Sequence, residues 1–296
     1  MKTAVIDLGS NSARIGIYIY DGGVLELTRV RYNTRLAEGL EKDNLLKEIP
    51  MERTIEAFVK FKQLIEKENC EKVVAVSTES LRRAKNSDEF IKRVKAETGI
   101  EIEIIDGEKE CIYGAMAAST STKHKDFYVL DVGGGSFELS KVKNGEIENC
   151  VCLPYGCVVV SEKFKPDVKG EKEMNEFLFS VFDELKWLDE TLPVVSLGGS
   201  AKEIARAVFK DEDIELDGKT TTAENAFKLY ENVVKTPVEN RSRVFGMEPA
   251  RADIINAGLA TIVNLLKKVN AKEIVFCTKS IREGVAQSIL CPHKEN

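Results

Sequence analysis

Two aspartates stand at the ends of apolar runs, and each is followed at once by glycine and small polar residues. The first run is VIDLGSNSAR (residues 5–14), and the second is VLDVGGGSFE (residues 129–138). Backbone N–H groups in such a turn can bind phosphate oxygens, and glycine allows the close approach. The aspartate can hold a divalent cation that neutralises the same phosphates. Two copies predict that phosphates bind in a cleft between two domains.

A third glycine-rich turn, SLGGSA (residues 196–201), follows a predicted strand and opens a predicted helix. The free N–H groups and the dipole of a helix N-terminus favour an anion. This would add Gly198, Gly199 and Ser200 to the phosphate site. A plain strand-to-helix turn has the same sequence, so the pattern alone does not choose between these two interpretations.

Three arginines lie next to predicted loops, where a side chain can reach a bound phosphate. Arg14 comes just after the first loop, and Arg82 and Arg83 follow the strand VAVS. A guanidinium group pairs well with phosphate oxygens. We expect Arg14 and Arg82 to bind phosphate and Arg83 to be solvated at the surface.

Hydrolysis of a phosphate also requires a base for water, and the segment DGEKE offers Glu108 and Glu110. Either carboxylate could orient and deprotonate an attacking water. Acidic residues also favour the first turn of a helix through its dipole. Sequence spacing leaves both readings open.

The elements that carry these residues alternate between strands and helices, which is typical of an α/β fold. The same meander of three strands occurs twice, first as TAVIDL, RIGIYIY and VLELTRV, then as FYVLDV, FELSKV and EIENCVCL. This predicts a duplication, with one domain over residues 1–121 and the other over 122–296. We expect the last helix, at about 280–289, to pack back on the first domain.

The later part of the second domain is predicted to be mainly helical. Periodic apolar residues predict helices over about 171–190, 222–235 and 250–268. Thr221 and Glu224 are spaced as a capping box for the second of these.

Composition narrows the possible functions. The 296 residues carry a net charge of −6, and the isoelectric point is about 5.4. An acidic chain does not favour DNA binding, which needs a basic face. No apolar run is long enough to span a membrane, and the N-terminus is typical of a strand rather than a signal peptide. Seven scattered cysteines indicate reduced, buried thiols. We therefore expect a cytoplasmic protein.

With these residues in view, the sequence resembles the exopolyphosphatase/guanosine pentaphosphate phosphatase family. The resemblance covers nearly the whole chain, in the segments VIDLGSNSAR, RLAEGL, STESLRRAKN, DGEKE, DVGGGSFEL, SLGGSAKEIA, RADIINAGLA and SIREGV. It implies the duplicated actin-like fold of sugar kinases, Hsp70 and actin, with two ribonuclease H-like domains and a cleft between them.

The resemblance also implies a role for each matching position. Glu110 would be the general base, and Asp131 and Glu138 would hold Mg²⁺ or another divalent cation. The phosphate-binding residues would be Ser10, Asn11, Arg14, Arg82, Gly133, Gly134, Gly135 and Ser136. The family's Glu-Ala-Arg is Glu110-Cys111-Ile112 here, so the arginine after the base is missing.

The implied substrates are inorganic polyphosphate, shortened from its end, and pppGpp, the substrate of a stringent-response phosphatase. We expect a homodimer. Larger family members carry a long C-terminal helical extension that this sequence lacks, which favours short polyphosphate or a nucleotide. Two alternatives stay open. The first is a regulator that binds ppGpp or pppGpp with little turnover. The second is an ATP-dependent small-molecule kinase of the same fold.

Overall fold

The computed structural model describes residues 1–164, 168–209 and 215–291. The chain divides into two compact units. Unit 1 consists of Met1–Tyr113 and the segment that begins at Ile281, and unit 2 consists of Gly114–Ser280.

The strands, in chain order, are β1 (Thr3–Leu8), β2 (Ala13–Tyr20), β3 (Val24–Tyr32), β4 (Lys72–Ser77), β5 (Ile102–Ile104), β6 (Phe127–Val132), β7 (Phe137–Lys143), β8 (Glu146–Leu153), β9 (Val194–Leu197), β10 (Thr220–Thr222) and β11 (Glu273–Phe276). The helices are α1 (Glu48–Lys67), α2 (Glu79–Arg83), α3 (Ser87–Thr98), α4 (Gly107–Ser119), α5 (Cys157–Phe164), α6 (Val168–Glu184), α7 (Gly198–Phe209), α8 (Ala223–Lys235), α9 (Val238–Phe245), α10 (Ile255–Lys268) and α11 (Ile281–Leu290). Short 3-10 turns lie at Leu40–Lys42 and Pro249–Arg251.

Unit 1 is built on a mixed sheet whose described strands lie in the order β3-β2-β1-β4-β5. The first three strands are antiparallel, and β4 and β5 run parallel to β1. One face packs on α1 through buried apolar residues such as Ile15 and Phe58. Helix α11 covers the other face, where Val285 packs with Val5 and Tyr18.

Unit 2 repeats this arrangement. Its described strands lie in the order β10-β11-β9-β6-β7-β8, so β6–β8 correspond to β1–β3, β9 to β4 and β11 to β5. The directions also match, since β6–β8 are antiparallel and β9 and β11 run parallel to β6. The predicted duplicated α/β fold of the actin-like class is thereby confirmed.

Several predicted helices have different bounds in the structure. The helix predicted over about 171–190 ends at Glu184, and the one predicted over about 250–268 starts at Ile255, after a 3-10 turn. The capping box was wrong by one residue, because Thr221 pairs with Ile274 in the sheet. Thr222 is the N-cap instead, and its hydroxyl accepts a hydrogen bond from the Asn225 amide.

Across the described part of the chain, every helix is too short or too polar to cross a membrane.

Candidate active site

The two Asp-Gly loops share one backbone geometry. In unit 1 the Gly9 amide donates to the Ser12 carbonyl at 3.0 Å, and in unit 2 the Gly133 amide donates to the Ser136 carbonyl at 3.0 Å. Each loop joins the end of the first strand of its meander to the start of the second. The repeated sequence therefore forms a repeated turn.

Strand register places three side chains in a row beside the loop of unit 1. Asp7 of β1 lies opposite Arg14 of β2, which lies opposite Arg31 of β3. Residues directly opposite one another in antiparallel strands share a face of the sheet. We call Asp7, Arg14 and Arg31 the first row.

The corresponding row in unit 2 has different chemistry. Asp131 of β6 lies opposite Glu138 of β7, which lies opposite Cys152 of β8. We call Asp131, Glu138 and Cys152 the second row. A cation follows the loop aspartate in the first row, whereas a second carboxylate follows it in the second row. The first row therefore suits an anion, and the second row suits a cation.

The loop of unit 1 exposes the residues that were predicted to meet a substrate. The side chains of Ser10 and Asn11 are exposed, and their carbonyls accept hydrogen bonds from the amides of Ala37 and Arg35. The Arg14 Nε donates to the Ser12 hydroxyl at 3.1 Å, so this arginine lies against the loop. Solvent-accessible polar groups are thus held on a loop that backbone hydrogen bonds fix in place.

Asp7 is buried at the base of the same loop. Burial raises the pKa of Asp7, and the positive charges of Arg14 and Arg282 oppose the rise. Arg282 of α11 is itself buried and lies 3.5 Å from the carboxylate of Glu283. Helix α11 therefore supplies charge to the loop of unit 1.

Glu138 is held firmly in the loop of unit 2. Its Oε1 accepts a hydrogen bond from the Ser136 hydroxyl at 2.6 Å and another from the Cys152 thiol at 3.1 Å. The side chain is buried. Its position is therefore fixed by two neighbours, one of them in the second row.

The glycines of the second loop have their carbonyls engaged by the segment that follows β8. The carbonyls of Gly133, Gly134 and Gly135 accept from the amides of Cys157, Val158 and Gly156, respectively. Gly156 lies so close to Gly134 that a side chain would not fit between them. These bonds orient the peptide groups of the loop, as a phosphate site built from N–H groups requires.

Two of the predicted residues of unit 1 contact each other. Arg82, at the end of α2, donates from Nη1 to the Glu110 Oε2 at 2.9 Å and to the Ile105 carbonyl at 2.7 Å. Glu110 is buried in the first turn of α4, whereas Glu108 is exposed. The two glutamates that sequence spacing left equal thus lie in different environments. Arg83 forms an ion pair with Glu79 on its own helix, at 3.4 Å.

The third loop opens α7 and makes room for two charged side chains. Gly198 has a φ of +87° and lies against the Asp131 carboxylate, and Gly199 lies against the guanidinium of Arg251. A Cβ at either glycine would collide with these groups. Ser200 is buried, and its hydroxyl approaches Gly258 of α10. Gly198 and Gly199 therefore lie beside charged groups, while the Ser200 side chain points into the core.

Three residues near the loops were not predicted from the sequence. Ser12 could have been found, because the repeated phrase aligns it with Ser136. Cys152 could have been found from strand alternation opposite Glu138. Arg251 is about fifty residues from Gly199 in sequence, and no local signal connects the two.

The second row fits a divalent cation such as Mg²⁺. Carboxylate oxygens are the hard ligands that Mg²⁺ prefers. Two carboxylates directly opposite one another on neighbouring strands repel each other, and a bound cation would relieve that cost. Asp131 and Glu138 would be the residues that hold it.

Comparison with known proteins agrees with this geometry. The sequence profile of the Ppx/GppA phosphatase family matches residues 18–293. This chain belongs to the Ppx/GppA phosphatase family. A crystal structure of the Aquifex aeolicus member of the family is similar to it, with 31% identity, a TM-score of 0.90 and coverage of 98% of this chain and 97% of that one.

A second solved structure supports the same assignment, and a third shows the same fold. Another structure of the Aquifex aeolicus Ppx/GppA enzyme shares 32% identity, with a TM-score of 0.89 and coverage of 97% and 99% of the two chains. An exopolyphosphatase from Cytophaga hutchinsonii shares 22% identity, with a TM-score of 0.84 and coverage of 98% and 97%, and shows the fold. Membership of the Ppx/GppA family identifies the protein as a phosphatase.

Proposed function

We propose that this Ppx/GppA protein removes the terminal phosphate of inorganic polyphosphate or of pppGpp by in-line attack of water. The observation that carries the proposal is the contrast between the two rows. The same turn is followed by arginine in unit 1 and by glutamate in unit 2. The phosphates of a phosphoanhydride substrate need positively charged side chains, and the substrate is usually bound together with a metal ion. An anion site and a cation site are therefore both required.

In this proposal Glu110 is the general base. It is a buried carboxylate in the first turn of α4, and Arg82 holds its Oε2 at 2.9 Å. An adjacent cation favours the ionised form of a carboxylate, which is the form that can accept a proton from water. Arg82 has further N–H groups beyond Nη1, and these suit a phosphate oxygen.

The loops position the phosphates. In unit 1 the exposed Ser10 and Asn11 and the neighbouring Arg14 would bind phosphate oxygens. In unit 2 the amides of residues 134–136 would do so, since the Gly133 amide already donates to the Ser136 carbonyl, together with the N-terminus of α7 at Gly198 and Gly199. Arg251 lies against Gly199 and would add positive charge there. Positioning and charge neutralisation carry most of the catalysis of phosphoryl transfer.

Asp131 and Glu138 would hold the divalent cation. When bound, Mg²⁺ would neutralise phosphate charge and polarise the phosphoryl group. Ser136 and Cys152 keep Glu138 in one orientation through their hydrogen bonds to Oε1. Because these supports belong to the chain itself, the carboxylate is positioned before any ligand binds.

The test is phosphate release by the purified protein with Mg²⁺, from tripolyphosphate, long polyphosphate, pppGpp and ATP. The proposal expects release from polyphosphate or pppGpp and loss of release in Glu110→Gln, with substrate binding kept. Glu108→Gln is the matched control, since it removes an exposed carboxylate from the same helix turn. Binding of ppGpp without release from any substrate would support the regulator instead. Formation of ADP from ATP that requires an added acceptor, with the phosphoryl group recovered on that acceptor, would support the kinase.

A further inference from the structure

The first row extends beyond the residues already assigned to the substrate. Arg31 lies on β3 directly opposite Arg14, and β3 is the edge strand of the described sheet of unit 1. Like charges directly opposite one another on a sheet are destabilising. An arginine at this position is therefore an unfavourable choice for folding alone.

The duplication shows what the third position of a row can reach. In unit 2 this position is Cys152, and its thiol contacts Glu138 at 3.1 Å. Arg31 occupies the same position relative to Arg14. Its longer side chain thus starts one strand from the phosphate-binding arginine, on the same face of the sheet.

Two acidic residues close to Arg31 in sequence pair with other cations. Glu26, on the same strand, lies 3.7 Å from Arg29, and Glu38 bonds Arg53 at 2.6 Å. Within residues 1–164, 168–209 and 215–291, no hydrogen bond or ion pair is found for the Arg31 side chain, which is exposed. A positive charge thus borders the substrate loop and is available to an anion.

Burial changes steadily along the first row. Asp7 is buried, Arg14 is half-buried and Arg31 is exposed. A linear polyanion whose terminal phosphate lies in the loop would pass Arg14 and then meet Arg31 as it leaves towards solvent. A short or compact ligand would end before it.

We propose that Arg31 is a second subsite for linear polyphosphate, which binds a phosphate distal to the one that is cleaved. The proposal rests on the proposed function, because the loop must first hold the terminal phosphate. Arg31 then adds affinity for polyphosphate chains that are long enough to reach it, which substrates with few phosphates do not gain.

The experiment compares Arg31→Thr with Arg29→Thr, using KM for tripolyphosphate and for long polyphosphate. Arg29 is a matched control because it lies on the same strand and the same face, opposite Gly16 instead of Arg14. Arg31→Thr should raise KM for the long polymer about threefold, as expected for one exposed ion pair. It should leave KM for tripolyphosphate and kcat unchanged. Arg31→Glu should raise KM for the long polymer about tenfold, since it adds repulsion.

Two further readouts separate binding from folding. The dependence of log KM on log salt should become shallower by about 0.7 in Arg31→Thr, the value for losing one contact to a single-stranded polyanion. The thermal midpoint of this variant should equal or exceed that of the wild type, because a like-charge pair has been removed. Arg29→Thr should change neither KM nor the salt slope.

The outcomes distinguish the two proposals. If the wild type releases phosphate and Arg31→Thr matches it on long polyphosphate, the subsite is overturned while the hydrolase stands. A lower thermal midpoint of Arg31→Thr, with activity reduced equally on both substrates, would mean a structural role for Arg31 and would also overturn the subsite. If the wild type releases phosphate from neither polyphosphate, the subsite is overturned, and the proposed function fails with it only if pppGpp yields no phosphate either.

Discussion

The pair of opposing carboxylates in unit 2 leads to a prediction about Glu138→Gln. Glutamine has nearly the same shape, and its Oε1 can still accept from Ser136 and Cys152, which lie at 2.6 Å and 3.1 Å in the native protein. The substitution therefore removes charge and keeps the supporting hydrogen bonds. It isolates the electrostatic cost of placing Glu138 opposite Asp131.

The size of the effect follows from cross-strand geometry. Two like charges about 5 Å apart repel by about 3 kcal/mol at an effective dielectric of about 20. Measured cross-strand side-chain pairs change stability by only about 0.2–1 kcal/mol relative to a pair of alanines. Without metal, we therefore expect Glu138→Gln to raise the free energy of unfolding by about 1 kcal/mol, or the thermal midpoint by about 2–4 °C. In the wild type, Mg²⁺ at about 100 times its Kd should stabilise by about 2.7 kcal/mol.

The assay is thermal unfolding followed by circular dichroism, in a chelator and in excess Mg²⁺. Wild type should gain stability with Mg²⁺, whereas Glu138→Gln should start higher in the chelator and gain little. Glu108→Gln, an exposed carboxylate of α4, should behave as the wild type. A variant that is less stable in the chelator and keeps the full Mg²⁺ shift would refute the placement of the cation at Asp131 and Glu138.

Three other changes have definite expected outcomes. Glu110→Gln should lower kcat by a factor of about 10²–10⁴, the usual contribution of a general base, as measured by steady-state phosphate release; an unchanged kcat would remove it as the base. Gly199→Ala should displace the Arg251 guanidinium and raise KM with the fold intact, whereas Gly23→Ala, which meets open space, should have no effect on KM. Burial raises the pKa of Asp7 above its ordinary value of 3.8, so its stabilising contribution at low pH is lost as pH rises through the folded-state pKa. Asp7→Asn should therefore become more stable relative to the wild type as pH rises from about 4 to 7, as measured by urea unfolding across that range. The opposite trend would mean that the fold stabilises the charged carboxylate.

Local signals predicted much of the fold. The strands Thr3–Leu8 and Phe127–Val132 have the bounds predicted from TAVIDL and FYVLDV. Helix α3 ends before Gly99, which adopts the left-handed conformation that favours glycine. The duplicated meander could be predicted because its strands, turns and loops repeat in order. These features depend on neighbours in the chain, so the sequence shows them directly.

The remaining features depend on tertiary contacts. Strand β10 exists because it pairs with β11, which lies about fifty residues further along the chain. The environments of Glu108 and Glu110 differ because only Glu110 turns inward to Arg82. Side chains that meet across the fold leave no periodic pattern, so residue spacing named both glutamates without ranking them, and only the family resemblance selected Glu110.

In the proposed reaction, water attacks the terminal phosphorus. The most direct measurement is hydrolysis of polyphosphate and pppGpp in water labelled with heavy oxygen, followed by mass spectrometry of the products. In-line attack at the terminal phosphorus predicts one labelled oxygen in each phosphate released by the wild type, and release slowed by a factor of about 10²–10⁴ in Glu110→Gln. Released phosphate without label, with the label in the remaining chain, would place the attack at another phosphorus and contradict this mechanism.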